Sequence, residues 1–531
     1  MDLSTFDAVN RKPVFARNLI ATSQPLASQA GSAAFAKGGN AVDAALAAAI
    51  TLTVVEPTMN GLGGDAFAIL WDGEKLHGMN GCGHSPAAWN LDRFKGLSAM
   101  PFRGWETVTV PGQVAAWADL SARFGALPFE TLFESAIRHA MDGFPVSPVI
   151  AKQWELSAEE LAPQPGFEAF MPNGRAPKAG EIWRFADQAV TLREIARTKG
   201  RSFYEGRLAK QIAAFAHEHG AALSEADLAA HETSWVDPIS LAFKGVQIHE
   251  IPPNGQGIAA LIALGMLEYL PYEETKPRSA QRAHLEIEVM RAAFADLYAH
   301  VAVPESMKVS TADLLSPAYL KQRASLIDPN KAGRYDAGQP ESGGTIYLCA
   351  SDAQGRMISY IQSNFTGFGS GVVVPGTGIS LHNRGKSFQL DANHPNVVAG
   401  GKRPMHTIIP AFMTRDGKPV MAFGVMGANM QAQGHLQMTL RQVVEGLNPQ
   451  AASDCARWRI DDDGELIMES QWPTAVIEEL KAMGHKPTVK PLDSLDFGSA
   501  QLIARIESTD GDTPAYVGGS DTRRDGMVIG F

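Results

Sequence analysis

The chain of 531 residues has only three cysteines, Cys82, Cys349 and Cys455. They stand far apart and form no C-x-x-C pair, which excludes a disulfide framework and a thiolate zinc site and suits a reducing compartment. Basic charge is also scarce. There are 46 Lys and Arg against 57 Asp and Glu, a formal net charge of −11, a poor balance for holding nucleic acid or an anionic membrane. Long apolar runs are missing too: the longest, Ala44 to Val55, is broken by Thr51 and Thr53 and is shorter than the roughly 20 residues that span a bilayer. The opening MDLSTFDAVNRKP lacks the cationic-then-apolar order of an export signal, so a cytoplasmic location is expected. No G-x-S-x-G elbow and no H-E-x-x-H pair is present. Gly61-Leu-Gly63-Gly-Asp-Ala66 matches G-x-G-x-x-A. Dinucleotide binding needs a strand before that motif and a helix after it, and here the predicted order is inverted.

What is present is core material. Hydrophobic residues make up 45% and charged residues 19%, enough for one large body or three to four units at about 150 residues each. Residues 24–37 read as a helix entered through Pro25 and stopped by Gly38-Gly39. Asn40 reads as the N-cap of an alanine-rich helix to Val55, with Asp43 at its third position. Further amphipathic helices are predicted at 112–124, 130–142, 206–219, 256–269 and 280–300. The stretch to Gly344 is turn-rich. After it strands are predicted at 345–351, 356–363, 371–374, 408–412 and 420–423. The main discontinuity therefore falls at 344/345, and helices followed by strands predict an α+β, layered αββα body.

The segment from Gly343 to Ser363 carries the chemistry. Asp352-Ala-Gln-Gly355 suits a three-residue hairpin loop with Gly355 in the left-handed position. Pairing 352 with 356 then sets Thr345 opposite Ser363. One reading is a plain cross-strand hydroxyl pair. The other uses Gly343-Gly344 before Thr345, which leaves the Gly344 carbonyl open to attack by the Thr345 hydroxyl. Cleavage there would make Thr345 a new N-terminus, and its freed α-amine could serve as general base to its own hydroxyl.

The sequence resembles the gamma-glutamyltranspeptidase family of N-terminal nucleophile hydrolases over nearly its whole length. The resemblance rests on Lys37-Gly-Gly-Asn-Ala-Val-Asp43, Asn60-Gly-Leu-Gly-Gly-Asp65, Val110-Pro-Gly112, the FADL stretch at Asp296, Gly344-Thr345, Gly367-Phe-Gly-Ser-Gly371, Lys402-Arg-Pro404, Gly424-Val-Met-Gly427 and Gly518-Gly-Ser-Asp521. It implies an αββα sandwich self-cleaved into a large subunit, 1–344, and a small one, 345–531, which could assemble further as a homodimer. It also implies a Thr345 nucleophile supported by Ser363, and an oxyanion hole at Gly427 and Ala428. The substrate would be a small amide, with water or an acceptor amine taking the acyl group. No cofactor or metal is implied.

The departures from the family pattern concern substrate. Members specific for γ-glutamyl groups hold the α-carboxylate with an Arg and a Ser pair, where this chain has Cys82 and His406-Thr407. They hold the ammonium with Asn, Gln and Asp, where it has Phe365, Arg384 and Ser387. The segment from Phe388 to Lys402, a lid in several members, is shorter. These features resemble the cephalosporin-acylase-like branch, whose substrates include glutaryl-type amides, so a γ-glutamyl or glutaryl-like acyl group is expected. Blander readings stay open: Arg384 as a solvated strand-end cation, His406 and His84 as structural residues, Cys82 as a buried filler, the Gly61–Asp65 loop as a packing turn. A non-catalytic binding protein that retains the fold is the alternative function.

Overall fold

The computed structural model describes residues 11–335, 344–461, 463–491, 494–506 and 513–531. Gly343 of the Gly-Gly-Thr junction lies outside them. Two seven-stranded sheets dominate. Edge to edge, the first runs Val14–Ala16, Ala515–Ser520, Ser499–Ile506, Lys418–Met426, Ala411–Arg415, Val246–Glu250 and Ile239–Phe243. The second runs Met527–Gly530, Leu19–Thr22, Gly344–Ser351, Met357–Phe365, Asp65–Trp71, Leu76–Gly81 and Ser234–Val236.

Three apolar cores show how the layers stack. Along Gly344–Ser351 the residues Ile346, Leu348 and Ala350 belong to a core shared with the alanine-rich helix Ala41–Val55. Tyr347 and Cys349 belong instead to a core shared with Phe412, Ala422 and Ile503 of the other sheet. Asp65–Trp71 alternates likewise, with Ala66, Ala68 and Leu70 toward helix and Phe67 and Ile69 toward sheet. In the first sheet, Phe423, Val425, Leu502 and Ala504 face helices Gly257–Leu267 and Met430–Val443. Period-two alternation with both faces buried gives helix, sheet, sheet, helix. This is the expected αββα sandwich.

The predicted helices appear within a residue or two of their expected bounds, and the Asn40 cap forms a full capping box with Asp43. Asp43 also accepts the Ala126 and Leu127 N–H groups. The segment predicted as helix 130–142 opens as a 3-10 turn, Phe129–Phe133, before its helix at Glu134–Asp142. The strand expected at 408–412 lies at Ala411–Arg415. Each sheet takes strands from both sides of 344/345, so that point divides the chain without dividing the body in space. The strand that the inverted order around Gly61–Ala66 requires is Asp65–Trp71, buried on nearly every side chain.

One close approach sets where helix Met430–Val443 sits. A Cβ placed on Gly434 would lie 2.5 Å from Val425 Cβ in the adjacent strand. Gly434→Ala is expected to gain roughly 1 kcal/mol of helix propensity and lose about 2–3 kcal/mol to the clash. The melting midpoint should fall; an unchanged midpoint would mean that the helix does not ride this close to the strand.

Candidate active site

The hairpin turns as expected. Asp352 N–H donates to Arg356 O at 3.0 Å, and Gly355 has φ +90°. From Ser351↔Met357 back to Ile346↔Gln362 the register keeps the predicted pairing. At the last step it slips, so that Gly344 faces Phe365 and Thr345 sits in an irregularity. A bulge re-aims the side chain it carries, and the Thr345 hydroxyl still donates to Ser363 Oγ at 3.3 Å. Ser363 Oγ in turn accepts the Phe365 N–H at 2.7 Å. A third group joins them: Gln431 Nε2 donates to Thr345 Oγ1 at 3.2 Å, while its Oε1 accepts the Ile409 N–H at 2.9 Å. A buried hydroxyl thus receives one hydrogen bond and gives another, which points its remaining lone pair in one direction.

Gln431 is the second residue of helix Met430–Val443, and the turn before it contains Gly427 and Ala428. Gly427 has φ +120° and Ala428 φ +50°, a conformation that costs an alanine of order 1 kcal/mol or more. The carbonyl of Ala428 is held by Gln256 Nε2 at 2.8 Å and Gln431 N–H at 3.1 Å. Gln256 Nε2 also donates to the Thr407 carbonyl. With the carbonyls engaged, the two N–H groups at the start of a helix are the kind of donor pair that can stabilise developing negative charge. No spacing in the sequence marks Gln256 or Gln431, because each works on a residue far along the chain.

Phe365, Arg384 and Thr407 come together. Arg384 is fully buried, its Nη1 donates to Thr407 Oγ1 at 2.8 Å, and its Cζ lies 4.2 Å from the centre of the Phe365 ring. The reading of Arg384 as a solvated cation is therefore excluded. Ser387 ends the same short turn, Arg384–Ser387, and is buried. The Arg384 N–H donates to His382 Nδ1 at 3.1 Å.

His406 and Cys82 join a neighbouring cluster around Asp65. The Asp65 carboxylate, wholly out of solvent, accepts the Gly112 N–H at 3.0 Å, the Gly83 N–H at 3.3 Å and His406 Nε2–H at 3.0 Å. His406 Nδ1 accepts the Ile408 N–H at 3.3 Å, which fixes the proton on Nε2. Burial alone would push the Asp65 carboxyl up, but the His382 and His406 rings and the Arg384 guanidinium outweigh it and hold the group below the usual carboxylate range. Burial, reinforced by Arg384, pushes His406 down to about 3, so its ring is neutral. Cys82 Sγ rests 3.5 Å from Asn254 Nδ2, its thiol pushed up by burial and by Asp65. In the sequence Asp65 marks only the end of a packing turn, and nothing there points to its partners. Gly61 does pack tightly there, a Cβ on it falling 2.0 Å from Ser380 Oγ.

A pH dependence follows. Unfolded His406 takes up a proton near its ordinary value of about 6.5, whereas folded His406 refuses it until about 3. Folding stability should therefore fall with pH from about 6.5 downward, by up to about 1.4 kcal/mol per pH unit for this one group. His406→Asn retains an N–H for Asp65 and cannot take up the proton, so its stability should fall less steeply between pH 6.5 and 4 in denaturation curves. Parallel curves for the two proteins would mean that His406 is charged when folded.

The gamma-glutamyltranspeptidase family model matches residues 27–531. A Bacillus subtilis protein named glutathione hydrolase-like YwrD proenzyme is 33% identical, over 98% of this chain and 100% of its own length. The oxamate amidohydrolase proenzyme of Klebsiella pneumoniae is also 33% identical, over 95% of this chain and 97% of its own. Among solved structures, the cephalosporin acylase from Bacillus halodurans superposes with a TM-score of 0.92 at 43% identity, covering 100% of this chain and 99% of that one. By name these relatives are a hydrolase-like proenzyme, an amidohydrolase proenzyme and an acylase. With the sandwich and the Thr345 hairpin in place, the chain belongs to the gamma-glutamyltranspeptidase family.

Proposed function

We propose that this protein cleaves itself between Gly344 and Thr345 and that Thr345 is then the nucleophile of an amidohydrolase or acyltransferase. The observation that carries the reading is the Thr345 hydroxyl, which follows Gly344 directly and lies between Ser363 and Gln431. In the first reaction the Thr345 Oγ attacks the Gly344 carbonyl carbon and the peptide C–N bond breaks to leave an ester. That step already frees the Thr345 α-amine, and water then hydrolyses the ester to a Gly344 carboxylate and the restored Thr345 hydroxyl. In the mature enzyme the same Oγ attacks a substrate amide, and the Gly427 and Ala428 N–H groups take the oxyanion. The α-amine, ordinarily titrating near 7.7–8.0, collects the hydroxyl proton and hands it to the leaving amine. Water or an acceptor amine resolves the acyl ester.

For the acyl group we propose a glutaryl-like chain in preference to γ-glutamyl. Arg384, stacked on Phe365 and bonded to Thr407, would meet its distal carboxylate. Asp65 is fully engaged by Gly83, Gly112 and His406 and so is not free to balance a substrate ammonium. A like-charge contact at 4 Å costs on the order of 4 kcal/mol at an effective dielectric of about 20.

On a denaturing gel the purified protein should give two bands, the smaller beginning TIYLCASD, and Thr345→Ala should give one. A single uncut wild-type band would point to the fold without catalysis. Ser363→Ala should slow both maturation and turnover by roughly ten- to a hundredfold, the equivalent of one hydrogen bond to a reacting group of about 1–3 kcal/mol. Glutaryl p-nitroanilide should be turned over with a kcat/KM at least tenfold above the γ-glutamyl compound. The reverse order would overturn the assignment of Arg384.

A further inference from the structure

Two groups of ligating side chains stand close together among the described residues. One, Asp65 with Cys82 and His406, belongs to the site above. The other, His284 with Glu288 and His485, has no part in that chemistry. His284 and Glu288 lie one turn apart on one face of helix Ala280–His300. His485 arrives from beyond 344/345, after helix Thr474–Ala482 and the turn at Gly484. All three are buried, and one donor atom from each lies within 4.8 Å of the other two.

The hydrogen bonds around this cluster are directional. His284 Nε2 lies 2.8 Å from the Asp328 carbonyl, which can only accept, so Nδ1 keeps its lone pair. That lone pair faces His485 Nε2 at 2.7 Å. Glu288 Oε2 accepts the Gly333 N–H at 2.7 Å and the Tyr335 hydroxyl at 2.9 Å. Its Oε1 has no hydrogen-bond donor among the described residues, although the side chain is fully buried. Arg291 Nε approaches it no closer than 3.9 Å.

We propose that His284 Nδ1, His485 Nε2 and Glu288 Oε1 bind a divalent transition ion of the zinc class. Two imidazoles and a carboxylate are a usual ligand set for zinc, with a water completing four-coordination. The Asp328 carbonyl on the distal His284 N–H, and Gly333 and Tyr335 on Glu288, are the outer contacts that orient metal ligands. Ligation requires neutral imidazoles, and the hydrogen bond from His284 Nε2 to the Asp328 carbonyl leaves its Nδ1 lone pair free for an ion. Zinc–nitrogen bonds of about 2.0–2.1 Å would open the N···N distance from hydrogen-bond length to about 3.3 Å. The ion would join helix Ala280–His300 and the segment 328–335 to His485. If the self-cleavage proposed above occurs, it would become a cross-link between the two fragments; the binding itself does not depend on cleavage.

The test is metal content and stability of the whole protein. After exposure to zinc chloride and dialysis, elemental analysis should find about one zinc per chain, and His485→Gln or Glu288→Gln should retain less than a fifth of it. Cys82→Ser should keep it, which separates this cluster from the one at Asp65. Chelation with EDTA should lower the melting temperature of the wild-type protein and zinc should restore it, an arm that holds even if a variant folds poorly. Wild-type protein that retains no more zinc than folded His485→Gln, or whose melting temperature ignores both EDTA and zinc, would reduce the cluster to a buried histidine–histidine hydrogen bond.

Discussion

A carboxyl group shut away from solvent must either take up a proton or have its charge answered by hydrogen bonds. Asp65 meets that demand by drawing on three other stretches of chain. It sits at the start of a strand, takes the N–H of Gly83 after the next strand, the N–H of Gly112 before helix Gln113–Phe124, and the His406 ring from beyond 344/345. The cluster stands beside Ser363, because Asp65 and Ser363 are paired across adjacent strands. The same cross-strand register that buries the carboxylate therefore places the partner of the proposed nucleophile.

Alternation explains why these groups share a side. On the strands Asp65–Trp71 and Met357–Phe365 the residues Phe67, Ile69, Met357 and Ile361 face the opposite sheet. Asp65 and Ser363 continue those odd-numbered rows toward the same face. The opposite sheet answers with the turn at Gly427 and Ala428 and with Gln431 at the start of a helix, pressed close by Gly434 against Val425. The proposed chemistry thus lies where two sheets and a helix start converge, and its polar groups hold one another in place across the packed interior.

Charge near Arg384 has a similar logic. A buried guanidinium is tolerable when it stacks on an aromatic face and finds acceptors. Phe365 provides the ring and Thr407 an acceptor, with Asp65 among the charges felt nearby. Phe365 holds φ +79° to do so, a strained backbone kept by its N–H bond to Ser363 Oγ. The group proposed to read the substrate and the group proposed to support the nucleophile are thereby coupled through one residue.

Local rules carry the parts that sequence alone determines. Pro25, Gly38-Gly39 and Asn40 mark helix ends because capping and left-handed turns depend on a few neighbouring residues. Asp352-Ala-Gln-Gly355 dictates a hairpin, and the hairpin counts out the register that brings Ser363 to Thr345. The bulge at Thr345, the interleaving of strands from both sides of 344/345, and the partners Gln256, Gln431 and Asp65 were decided only by tertiary structure. Each of them joins residues tens to hundreds of positions apart, and no spacing along a chain encodes which buried donor will meet which buried acceptor once two sheets close on each other. The same holds for His485, whose approach to His284 and Glu288 is set by where a helix from one half of the chain packs against a turn from the other.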